Sequence, residues 1–302
     1  MLRQAWNAYR GWAKAAGDLQ RATQRWNLAA IACVMAAAAL GALASVAHDP
    51  WSRGAAIVAA IASAVGAYLG KQFVGSGDEA GWIQARATAE GIKSECYRYA
   101  ARAGAYAVSD ADAAKALAAN AAAIAKQATD KGLVRGDNDV PDSGDKREPP
   151  TPLTAVWYKS ARIQEQIDWY RDARARQQAA ANQLWWIAFA AGLAAVVFGA
   201  LGVWAQQFAP WIGAMTTIAA AIAAYGLIDR RKYLVVSYAA MQSRLEEILG
   251  LDAAAPLSVA DLVAATEDLL DGEHKAWLPQ MLGMQHQPPA QPAQQQGGTV
   301  GS

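Results

Sequence analysis

Trp82, Arg86, Glu90, Lys93 and Tyr97 fall within about 80° of one helix face at 100° per residue. Glu90 and Lys93 form a favourable i,i+3 pair, a type that contributes about 0.2–0.5 kcal/mol. Two readings of the row stay open. It is a salt-bridged face whose aromatic rings pack on a neighbouring helix, or a face that contacts a nucleotide or a partner. Arg162, Glu165 and Trp169 repeat the arrangement farther along the chain. Catalysis has less to work with. Three scattered histidines make no metal site, and two cysteines make no disulfide framework. Neither a Cys–His pair, a glycine-rich phosphate loop nor a zinc spacing occurs where it could be used. The expectation is a protein that is not an enzyme, with no catalytic residue, metal ligand or cofactor.

The elements that carry these residues follow from where charge is missing. Of 302 residues, 54% are apolar and 18% charged, against about 25% charged in a typical domain. Low hydrophobicity with high net charge is absent, which excludes disorder for most of the chain. With 27 Lys+Arg against 26 Asp+Glu, the chain is not a generally basic nucleic-acid binder. Four windows contain no charged residue: Leu28 to Ala47, Gly54 to Gly70, Leu184 to Ala205 and Pro210 to Ile228. At 1.5 Å per residue each spans or nearly spans a bilayer core of about 30 Å. Six residues separate the first two windows and four separate the last two, so each pair is an antiparallel hairpin. Pro50 and Pro210 stand at the starts of the returning helices, where proline is tolerated. The fold class is all-α: a polytopic membrane protein with four transmembrane helices in two hairpins and helical extensions.

Arg53 alone among the 27 cations lies in the short loops. By the positive-inside rule, both termini and the central region are cytoplasmic. Met1 to Asn27 is too long for a secretory n-region, so the first span is read as an uncleaved anchor. Cys33 lies in that span and Cys96 on the cytoplasmic side, so no structural disulfide is expected.

Residues 1–110 form a first hairpin unit and 153–280 a second, with spans near 28–47, 54–70, 184–205 and 210–228. Tyr9-Arg10 matches Tyr170-Arg171, and Ala67-Tyr68 matches Ala224-Tyr225, which suggests a diverged duplication. Residues 111–152 hold an Ala-rich helix, Ala111 to Lys131, then a Gly/Pro/Asp linker. A helix from about Leu153 to Asn182 leads straight into the third span. Asp229 to Leu249 continues the fourth as a helix that Gly250 closes, and Ser258 N-caps one more. The Gln/Pro/Gly-rich tail, 281–302, is expected to be disordered.

The spacing Trp82-x3-Arg86-x3-Glu90-x2-Lys93-x-Glu95-x3-Tyr99, followed by Ala103-Gly104-Ala105-Tyr106, resembles the segment after the hairpin in the SLATT family. Those are two-transmembrane proteins associated with SMODS nucleotide synthases and SLOG sensors. The second half resembles another branch, through Arg162-Ile163-x-Glu165-Gln166-Ile167-x-Trp169-Tyr170, Ser237-Tyr238, Glu267 and Glu273-His274-x-x-Trp277. The resemblance implies an effector in the inner membrane of a bacterial cell, and the tandem of two hairpin units departs from a single-hairpin member of that family. It also implies a homo-oligomer in contact with the lipid bilayer, a nucleotide-synthase or nucleotide-sensor partner, and a role in anti-phage or suicide defence. A signal would trigger a pore or membrane disruption.

None of the four windows carries the ionisable group that a proton- or ion-coupled carrier needs. Four small-residue helices leave no obvious lumen, so conduction requires self-association or rearrangement. Gly66-x3-Gly70, Ala195-x3-Gly199 and Gly213-x3-Thr217 offer close-packing faces, either within the subunit or between subunits. The rival reading is a membrane scaffold whose cytoplasmic helices recruit a soluble partner without conduction.

Overall fold

The structure is a computed structural model that describes residues 1–73, 78–135, 145, 147–228 and 231–281, with side chains outside 72–80, 226–232 and 274–281. Among the described residues every regular element is helical. They are α1 (Leu2–Val46), α2 (Trp51–Phe73), α3 (Asp78–Ala101), α4 (Asp110–Thr129), α5 (Ala155–Tyr158), α6 (Glu165–Trp204), α7 (Ala209–Ile228), α8 (Arg231–Ala254) and α9 (Val259–Met281). A π-turn, Lys159–Gln164, joins α5 to α6 without a break. The expected disordered tail beyond Met281 and most of the linker, 136–144 and 146, lie outside the described residues.

Four helices are long and apolar enough to cross a membrane, and they carry the four charge-free windows. In two of them, window and polar arm are one rod. α1 runs 45 residues through the first arm and the first span. The 155–204 rod runs 50 residues through the second arm and the third span. Nothing in either stretch breaks a helix: Ala, Leu, Gln and Arg, strong helix formers, fill the junction between arm and window. Any tilt of an arm is therefore a tilt of its span.

Local signals set the ends. Ser109 caps α4, its Oγ accepting from the Asp112 N–H at 3.3 Å. Thr154 caps α5 by accepting from the Trp157 N–H at 3.3 Å. Ser258 caps α9 by accepting from the Asp261 N–H at 3.1 Å. Gly250 does not close α8, which continues to Ala254. A glycine costs a helix only about 1 kcal/mol. Pro256 is the stronger stop, because it drives Ala255 out of helical geometry. Asp252 Oδ1 then accepts from the Leu257 N–H at 3.0 Å.

The broad contacts among the spans run α2 on α1, α1 on α7 and α7 on α6. The spans therefore form a row with α2 and α6 at its edges. Ile57, Val58, Ile61 and Val65 of α2 are exposed, as are Leu193, Val196 and Val197 of α6. That much contiguous apolar surface is rare on a water-soluble monomer but suits a lipid-facing one. Exposed aromatics mark two levels. Trp186 and Trp204 lie 18 residues apart on α6, about 27 Å of helix. Trp51 and Tyr68 lie 17 apart on α2, about 26 Å. Both spacings approach the hydrocarbon thickness, with aromatics at the two interfaces.

The four glycines differ in surroundings. A Cβ at Gly66 would lie 3.1 Å from Cys33 Cβ and 3.3 Å from Val34 Cγ2, so Gly66 lets α2 lie close on α1. Gly199 has Ile212 Cδ1 at 3.8 Å, whereas Gly70 and Gly213 have open space. Gly70 opens on an apolar cavity of about 270 Å³ lined also by Ala30, Val34 and Ala221. Gly66→Leu is therefore expected to destabilise the hairpin by about 1–3 kcal/mol through overpacking. Gly70→Leu is expected to stay within about 0.5 kcal/mol of wild type. Thermal unfolding of the detergent-solubilised variants checks this, and equal effects at the two sites would contradict it.

Candidate functional site

The polar arms meet at a junction where α1 packs on α3, and α3 and α5 both pack on α9. α3 belongs to the first half of the chain, α5 and α9 to the second. The helical period of α3 lines up Arg86, Glu90, Lys93 and Tyr97, as the spacing requires. Across from them the π-turn carries Arg162. A π-turn adds a residue to the helical turn and redirects the side chains around it.

Arg162 is the centre. Its Nε donates to Glu267 Oε1 and its Nη2 to Glu267 Oε2, both at 2.9 Å. The pair is buried, with side-chain exposures of 3% and 0%. The Tyr158 hydroxyl donates to the same Glu267 Oε1 at 2.8 Å. The guanidinium lies 4.9 Å from the Tyr97 ring centroid. Burial alone pushes the Glu267 carboxyl up, but the Arg162 charge, its two hydrogen bonds and the Tyr158 hydroxyl hold it below the usual carboxylate value.

Lys93 is the second buried charge, 8% exposed. Its Nζ lies 3.8 Å from Glu90 Oε2 and 5.3 Å from the Tyr9 ring centroid. Burial pushes its pKa down from 10.5 to about 8; Glu90 and Glu267 oppose that shift, and Arg162 and Arg147 add to it. Arg86, Glu90, Lys93, Arg162, Gln166 and Trp169 all face one cavity of about 150 Å³, together with Tyr9, Tyr97, Arg147 and Glu165. The Arg86 guanidinium lies 5.3 Å from the Trp169 ring centroid, a cation–π contact between the halves.

Other residues singled out by the sequence lie beside this cavity. The Tyr170 hydroxyl donates to Glu273 Oε2 at 2.6 Å. Trp169, Tyr170 and Tyr238 form a ring cluster with centroids 5.1–5.7 Å apart. Glu95 and Tyr99 face elsewhere. Glu95 accepts from the Tyr106 hydroxyl and, at 2.8 Å, from Asn120 Nδ2 of α4. Tyr99 meets the Tyr106 ring edge-on and takes Arg102 over its face. Trp82 is half-buried on α3. His274 and Trp277 lie on α9 with side chains outside the described residues.

Three contributors escaped the sequence reading of the site. Tyr158 stands four residues before Arg162, on the same helical face, and that spacing was the available signal. Tyr9 entered only as part of a repeat, although Trp6 and Trp12 at helical spacing mark a buried aromatic face. Arg147 follows the linker and no pattern announces it. The Tyr97 hydroxyl donates to the Arg147 backbone carbonyl at 3.0 Å.

What the arrangement does chemically is hold charges out of water with fixed partners. Removing one member of a buried pair leaves the other uncompensated, which costs about 3–5 kcal/mol. Arg162→Met is therefore expected to lower stability by about that much, and Arg162→Met with Glu267→Met to recover part of it. Thermal denaturation of the two variants checks this. Lys93 carries a pH signature. Between about 8 and 10.5 the unfolded chain binds more protons than the folded one, so Lys93 makes stability rise with pH through that window. The buried tyrosines, with pKa raised by burial, act in the opposite sense near pH 10. In chloride buffer, Lys93→Met should therefore be less stable at pH 10, relative to pH 7.5, than wild type is. Denaturation midpoints at pH 7.5 and 10 measure the difference.

Residues 158–277 match the SMODS and SLOG-associating 2TM effector domain 1. Residues 5–114 match a family of proteins of unknown function, DUF4231. The first unit, whose α3 spacing resembles the SLATT family, is thus matched by a separately described family. No curated protein and no solved structure matches the chain. Arg162, Gln166, Trp169, Tyr170, Glu267 and Glu273 fall within the first match, and Trp82, Arg86, Glu90 and Lys93 within the second. Residues 158–277 thus carry a SMODS and SLOG-associating 2TM effector domain, preceded by a unit that matches DUF4231.

Proposed function

We propose that this chain is a non-enzymatic membrane effector of a bacterial conflict system that opens a conducting path when its polar arms are rearranged. The inner membrane is its location, with both termini and the arms on the cytoplasmic side. That orientation is supported by the distribution of Lys and Arg, of which only Arg53 lies in the outer loops. The trigger is a nucleotide-linked signal, delivered by a nucleotide synthase or sensor partner of the kind for which the matched domain is named.

The observation that carries the reading is the continuity of arm and span in α1 and in the 155–204 rod. A movement at the junction is transmitted to the membrane as a tilt of rigid helices. The row arrangement adds to it. With α2 and α6 at its edges, the row can lengthen or close on itself by association of several copies.

Expression in a bacterium loaded with a voltage-sensitive dye tests the proposal. Depolarisation on expression, or on addition of the triggering system, is the expected result. A retained membrane potential, with a soluble partner recruited to the membrane, contradicts conduction and favours the scaffold.

A further inference from the structure

We propose that the cavity between the two halves is a binding site for a free, phosphate-sized oxyanion, held by Lys93 together with Arg86, Arg147 and Arg162. This stands apart from the conduction proposal and does not depend on it.

Two observations point to a ligand. The first is donors that open on the cavity. The Lys93 side chain is 11% exposed, and Glu90, its ion-pair partner among the described residues, is at 3.8 Å, beyond hydrogen-bond distance. An ammonium has three N–H donors, which an oxyanion in the cavity can meet. Arg162 spends Nε and Nη2 on Glu267, while its Nη1 faces Glu90 at 4.0 Å. Among the described residues, donors from two elements and both halves of the chain thus converge on the cavity, with Glu90 at 3.8–4.0 Å from Lys93 Nζ and Arg162 Nη1.

The second is space. The cavity is about 150 Å³, equal to roughly five waters at about 30 Å³ each. Pockets for drug-sized ligands run from about 300 to 1,000 Å³, so a nucleoside does not fit without opening the junction. A tetrahedral oxyanion does.

Charge alone does not make the site. Four cations face Glu90 and Glu165 across the cavity, and Glu267 and Asp145 pair with Arg162 and Arg147 from outside it. Affinity comes from preorganised donors. The depressed Lys93 pKa accords with this, because burial rather than pairing dominates its surroundings. An anion at this place would bind α3 of the first unit to the π-turn of the second, and so stiffen the junction.

The test uses the full chain in nanodiscs, with thermal unfolding followed in phosphate and in chloride at equal ionic strength. The expected result is a saturable rise of about 3–8 °C in phosphate, the size given by a ligand at roughly a hundred times its Kd. Lys93→Met should unfold in chloride at or above the wild-type temperature and show no phosphate shift. Arg86→Gln, which leaves the buried pair intact, should show a reduced shift and serves if Lys93→Met fails to fold. Adenosine monophosphate should give no saturable shift. The proposal is overturned if phosphate shifts wild type and the variants equally, if no saturable shift occurs, or if adenosine monophosphate acts where phosphate does not.

Discussion

A buried arginine–glutamate pair ties together two elements of the second half, the π-turn and α9, and the first half packs on it through Tyr97 of α3. Arg162 and Glu267 lie 105 residues apart in sequence and meet through two parallel hydrogen bonds with almost no exposure. Such a pair is weak evidence of net stabilisation, since desolvating both ions costs about as much as their attraction returns. It does set geometry. A guanidinium with a fixed fork and a carboxylate with two oxygens fit in few relative positions. Tyr158 and Tyr97 narrow that choice further, one by a hydrogen bond to the carboxylate and one by its ring beside the guanidinium. The match seats α9 against α5 and the π-turn, with Tyr97 of α3 packed beside the guanidinium.

The membrane supplies the second constraint. Backbone polar groups within hydrocarbon must be satisfied inside the helix, so each charge-free window is a helix before any tertiary contact forms. The rods that contain the first and third windows carry that rigidity into the polar arms. Charge is thereby separated by depth. The spans hold small and apolar residues, and the buried ions gather at the junction, where aromatic rings and paired side chains replace water. Losing one partner of the pair costs a large part of the roughly 5–15 kcal/mol that stabilises a folded protein.

The architecture was largely legible because its signals are local. Missing charge marked the four windows, short loops marked the hairpins, and Ser258 marked a helix start. Gly250 misled because a glycine only weakens a helix, while Pro256 stops one. The site was half legible. Helical spacing put Arg86, Glu90 and Lys93 on one face, but no spacing says which face of a second helix receives it. Glu267 was visible only as part of a family pattern, since its partner depends on how the chain folds back. The row order α2, α1, α7, α6 was equally out of reach, because all four spans are Ala- and Gly-rich and offer no distinguishing surface.

The central claim is that the junction and the spans move as one body. Spin labels at Arg53→Cys and Gln207→Cys, in a background with Cys33 and Cys96 replaced by alanine, place one probe at the turn of each hairpin, in the first turn of α2 and just before α7. Pulsed dipolar distances in nanodiscs then compare the intact junction with Glu267→Gln, which keeps shape but removes the charge facing Arg162. The account predicts that the distance distribution between the loops shifts or broadens when the pair is broken, although both labels lie at the far ends of the spans. An unchanged distribution in a folded variant that has lost the pair would contradict it.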